Sequence, residues 1–117
     1  MENRTKMTQE EKELLFKDLC MRLPYGVKIY HIYSEKPVRF NSKHLNQIGA
    51  FKILPYLRPM SSMTEEEKEI YQMFFNEDGL LNTSIGTYVD WLLEGHFDFR
   101  GLIPKGLALE APEGMYN

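Results

Sequence analysis

A single cysteine, Cys20, serves the whole 117-residue chain, so no intrachain disulfide can form and a reducing compartment is the simplest setting. Long apolar runs are missing: a spanning helix needs about 20 such residues, and none of that length occurs. The opening stretch, Met1 to Met7, is polar and charged and lacks the apolar segment of a secretory signal. A cytoplasmic protein with no membrane association is the expectation. CxxC, HxxxH and acidic calcium-loop spacings are absent, as are phosphate-cradling glycine loops, nucleophile elbows and dinucleotide fingerprints. No metal, cofactor or catalytic residue is therefore expected.

What the chain does have suits a packed domain. Hydrophobic residues make up 43% and charged residues 26%, an ordinary globular balance. The formal net charge of −3 argues against indiscriminate binding to polyanions.

Local patterns place the elements. Residues 1–6 read as a frayed end, 7–110 as one domain and 111–117 as a tail. Thr8 with Glu11, and Thr64 with Glu67, each spell a capping box, in which the threonine accepts an amide of the first turn and the glutamate reaches back. The near-identity of 7–13 (MTQEEKE) and 63–69 (MTEEEKE) reflects two such boxes, since the core positions that follow diverge. The first helix carries a stripe of Leu15, Leu19 and Leu23 with Phe16 and Cys20, and Pro24 ends it. Val27 to Tyr33 reads as a strand, 34–37 as a turn and 38–40 as its return.

The stretch 41–49 suits a short helix capped by Asn41 or Ser42 and closed by Gly49, or else a strand. The stretch 51–54 is a third strand or a helical turn. Pro55 and Pro59 remove two backbone donors and predict an edge or an extended connector. The second helix is expected to bury Ile70, Met73 and Phe74. A third begins at Thr83 or Ser84 and stops at Gly95 in a left-handed cap. Residues 96–110 read as a helical turn plus extended chain over the core. The fold class predicted is α+β: a small antiparallel sheet of two or three strands with about three helices in a single layer around it.

Charge is unevenly distributed. From Pro24 to Met63, Lys28, Lys36, Arg39, Lys43, Lys52 and Arg58 face one acid, Glu35, whereas the rest holds eight basic and sixteen acidic residues. Cations interleaved with rings are what single-stranded nucleic-acid binders use, which makes Lys28, Tyr30, Tyr33, Arg39, Lys43 and Lys52 a candidate nucleic-acid face. The alternative is that the rings pack the sheet and the cations offset acidic helices. A small hydrolase or metalloenzyme would require Cys20, His31, His44, His96, Asp90 or Asp98 to converge.

Three stretches carry a family resemblance: Lys17 to Val27, Pro55 to Glu67, and Asp90-Trp91-Leu92 through His96 to Pro112. Together they resemble a family of small uncharacterised proteins encoded by gut bacteria and by their phages and mobile elements. The match lies at the two ends of the chain. Ile29 to Phe51 departs from it, where that family carries a longer, variable β-region. The resemblance implies an accessory or phage-linked context and no activity. Fixed ends around a variable sheet predict a non-enzymatic module whose partner is another protein. Tyr56, Arg58, Trp91 and Arg100 are the residues expected at that interface, because tyrosine, tryptophan and arginine dominate binding energy where exposed.

Overall fold

The computed structural model describes residues 7–116 and has an α+β fold. Helix α1 spans Gln9–Arg22, strand β1 Lys28–His31, β2 Val38–Arg39 and β3 Ile53–Leu57. Helices α2 (Glu65–Met73) and α3 (Ile85–Glu94) follow, then strand β4 (Leu109–Glu110). Short 3-10 turns occupy Leu23–Tyr25, Ser42–Gln47 and Met60–Ser62. Both threonine capping boxes form as written, and Asn41 caps the 42–47 turn by accepting the Lys43 amide. Gly26, at φ 74°, provides the left-handed turn into β1 that a side chain would resist.

The sheet order is β2-β1-β3-β4. It has one strand more than the sequence suggests, and the extra pair, β3 with β4, runs parallel, whereas the others are antiparallel. A two-residue strand leaves no alternation to read.

Pro55 is also better placed than an edge position. It lies opposite Ile29 in an internal strand. The Ile32 amide donates to the Lys52 carbonyl at 3.1 Å. This makes Tyr30–Leu54 a hydrogen-bonded pair and Ile29–Pro55 a non-bonded one. The donor that proline lacks would therefore point away from β1, and the β4 ladder begins only at Tyr56.

Alternation gives the sheet two different faces. Val27, Ile29, Ile53 and Leu57 point inward with Phe40, against Leu15 and Leu19 of α1 and Leu102 and Leu107 of the last loop. Each fully buried leucine or isoleucine there stabilises the fold by about 1.5–3 kcal/mol. Within the same helix face, Asp18 and Arg22 are also fully buried. Arg22 Nε donates to Asp18 Oδ2 at 2.7 Å and its Nη2 to the Phe97 carbonyl at 2.8 Å. Arg100 Nε reaches the other carboxylate oxygen at 3.1 Å. One carboxylate thus ties α1 to the chain leaving α3.

A second apolar cluster holds α2 and α3 together: Met63, Leu92 and Phe97 with Tyr71, Tyr88 and Trp91. Phe74 meets Tyr88 and Trp91 edge-on at 5.4 and 5.6 Å. The α2 stripe that turns inward is Glu67, Tyr71 and Phe74. The expected burial of Ile70 and Met73 does not occur: both are exposed, because Ile70, Tyr71 and Met73 with Phe74 and Phe75 just past the helix offer two competing stripes. Phe16 and Cys20 likewise sit at the margin of the α1 stripe rather than within the core.

The end of α3 differs from the expected glycine cap in a specific way. Gly95 is right-handed, at φ −83°, and His96 takes the left-handed position at φ 60°. Phe97 N bonds Leu92 O and His96 N bonds Leu93 O, each at 3.0 Å, the paired bonds of a Schellman turn. Glycine is needed at 95 for space, since a Cβ there would overlap the Phe97 ring. The histidine carries the conformational cost of about 1–2 kcal/mol.

Within the expected tail, Tyr116 packs back against the domain. The Tyr116 ring stacks on His96 with centroids 3.7 Å apart, and its hydroxyl is part-buried between two strands. The frayed end expected at residues 1–6, and Asn117 of the expected tail, lie outside the described residues.

Candidate functional site

Three surfaces carry chemistry. The first is the cleft between the end of α3 and the C-terminal stretch, about 750 Å³ in volume. Arg58 lies on its wall, gripped at both guanidinium ends by Glu67 at 2.9 and 2.7 Å and resting 4.4 Å over the Phe97 ring. That hydrogen-bonded guanidinium holds the Glu67 carboxyl below its usual range. Glu66, Glu94, Glu110 and Glu113 leave the cleft acidic.

His96, also on this wall, is pushed down to a pKa of about 4, first by burial and then by the positive charges of Arg22 and Arg58. A base that weak is poorly matched to proton transfer near neutrality. Its Nδ1 and the Nη1 of Arg22 are buried without a hydrogen-bond partner among the described residues.

The second surface is the outer face of the sheet. Pairing of Lys28 with Arg39 and of Tyr30 with Leu54 puts these residues on the face opposite Ile29. Lys52 Nζ sits 5.7 Å over the Tyr30 ring from the same side, and alternation adds Tyr56. Of the six expected nucleic-acid residues, Lys28, Tyr30, Arg39 and Lys52 therefore converge. The other two do not join them. Tyr33 lies beyond β1 with its ring edge-on to Phe51 at 5.4 Å, and Lys43 stands on the 42–47 turn. Of the basic residues from 24 to 63, only Arg58 is ion-paired among the described residues.

The third is the exposed apolar part of the α2–α3 lobe, spread over residues 70–85. Met73 is 74% exposed, Ile85 72%, Leu80 63% and Ile70 42%. Of these, Ile70 and Met73 are the ones expected in the core because of their apolar character; no expectation attaches to Leu80 or Ile85. Around them, residues 64–95 hold eight carboxylates against one lysine, Lys68.

The expected interface residues have other engagements. Arg58 is committed to Glu67, and Arg100 to Asp18, Met21 Sδ and the Phe99 ring. Trp91 stacks on Phe97 at 5.5 Å and is half-buried. Tyr56 lies part-buried on the outer face of the sheet.

Four of the candidate enzyme groups, Asp98, Asp90, His31 and His44, are engaged in hydrogen bonds. Asp98 accepts the Leu102 and Ile103 amides at 2.7 and 2.9 Å, Asp90 accepts from Tyr25, and His31 bonds Gln47. His31 and His44 do lie close, at 5.8 Å between centroids, but the His44 Nδ1 takes the Asn41 amide. No group of three metal-ligating side chains forms among the described residues, and no described helix is long and apolar enough to cross a membrane. Comparison with protein families, curated proteins and solved structures finds no match to this chain.

Proposed function

We propose that this protein is a non-enzymatic accessory module that docks on another protein through the outer face of the α2–α3 lobe. The observation that carries the reading is concentration along the chain: among the described residues, four of the six exposed large apolar side chains fall between residues 70 and 85. Exposed apolar residues gathered in one region and rimmed by charge mark an association surface. The rim here is acidic, so the partner surface is apolar at its centre and basic at its edge. An accessory role of phage or mobile-element type, inside the cell, fits the family resemblance of the flanking segments.

The experiment is cross-linking of the purified chain in a host extract, run beside Met73→Ser/Ile85→Ser and beside Lys28→Ala/Lys52→Ala. A partner cross-linked to acidic-lobe residues, lost in the first variant and kept in the second, supports docking through the lobe. Identical products from wild type and the first variant contradict it. So does the absence of any partner. Cross-links between copies of the chain would replace the foreign partner with self-association.

A further inference from the structure

We infer that the outer face of the sheet is a binding site for single-stranded nucleic acid, independent of the α2–α3 lobe. Neither apolar cluster includes a residue of this face, although Leu54 on it is buried and Lys28, Tyr30 and Tyr56 are part-buried. Antiparallel sheets commonly leave one face outside the core when that face is polar. Here it is cationic and aromatic: Lys52 Nζ sits over the Tyr30 ring, Lys28 pairs with Arg39, whose guanidinium lies beside Gly26, and Tyr56 is diagonal to Tyr30 across β1 and β3. No strand residue on this face is acidic. Lys28, Arg39 and Lys52 make no ion pair among the described residues, so no described carboxylate neutralises them. They remain available to phosphates.

The arrangement selects among polyanions. A duplex presents its bases edge-on and stacked inside, whereas a single strand offers base faces to a ring. Tyr30 and Tyr56 lie on neighbouring strands two register positions apart, about 7–8 Å at the backbone. That places two rings along one short path between cations. The overall charge of −3 and the acidic lobe repel nucleic acid elsewhere, which confines binding to this face.

The test is fluorescence anisotropy of a labelled oligo(dT) of about 12 nucleotides, with a duplex of equal length and inorganic polyphosphate as competitors. Three phosphate contacts predict a log–log salt slope of about −2, or about fifteen-fold weaker binding at 200 mM than at 50 mM salt. Tyr30→Ala weakens binding about tenfold, and Tyr30→Phe restores it. Arg39→Ala/Lys52→Ala, at exposed positions, flattens the slope while circular dichroism stays unchanged. Lys43→Ala, off the face, leaves binding as it was. Binding that is absent at low salt, insensitive to Arg39→Ala/Lys52→Ala, or equally competed by polyphosphate overturns the inference. None of these results depends on a protein partner, so failure here leaves the docking proposal standing.

Discussion

The Lys28 amide donates to the Tyr116 hydroxyl at 2.9 Å, and that hydroxyl donates in turn to the Tyr56 carbonyl at 2.7 Å. Lys28 and Tyr56 are the positions where the β1–β3 ladder would make its next hydrogen-bonded pair, given the register of Tyr30 with Leu54. A side chain from the C-terminal stretch therefore completes the ladder in place of a direct backbone bond. The phenol is pushed up to a pKa of about 12, chiefly by burial, so it stays a donor at every physiological pH.

Tyr116→Phe keeps the ring on His96 and removes the bridge. Two part-buried backbone groups then lose their partner, which costs about 1–3 kcal/mol. Urea denaturation should show the loss as a lower midpoint with an unchanged slope.

Acid should destabilise the protein before its carboxylates titrate. His96 has a pKa of about 4 in the fold against its ordinary value of 6.5, so the folded state binds fewer protons between those values. Its stabilising share is complete above about 6.5 and is lost as pH falls toward about 4. His44, pushed down by burial and then by His31 and Lys43, acts in the same direction. His96→Asn tolerates the left-handed backbone and should flatten the stability profile between pH 6.5 and 4.5, leaving the smaller His44 share. Urea midpoints across that range check both statements.

Asp18→Ala leaves the fully buried Arg22 guanidinium without its carboxylate and should cost about 3–5 kcal/mol. Arg100→Ala removes only the more exposed partner of the same carboxylate and should cost about 1 kcal/mol. Thermal unfolding of the two variants in parallel gives the order, and a larger loss for Arg100→Ala would contradict the arrangement described for Asp18.

What the sequence disclosed follows from range. The two threonine boxes, the Asn41 cap and the β1 strand rest on neighbours within a few residues, and all are present. The Tyr116 bridge depends on partners 60 and 88 positions away, which no local pattern encodes. Asp18 and Arg22 did carry a local signal, since they share a helix face with Leu15 and Leu19, but charge argued against burial until Phe97 and Arg100 arrived from the far end of the chain. On the outer sheet face, Lys28, Tyr30, Arg39 and Lys52 were legible from alternation and composition. Tyr33 and Lys43 fell away because β1 ends at His31 and the 42–47 segment is a turn.

The docking proposal requires that the apolar side chains of the α2–α3 lobe contribute to association and not to the core. Denaturation of Met73→Ser/Ile85→Ser measures this most directly. Surface substitutions away from specific contacts change stability by no more than about 0.5 kcal/mol each, so the account predicts a midpoint indistinguishable from wild type. A loss of several kcal/mol, on the scale of buried apolar truncations, would show that these residues hold the fold together and would contradict it.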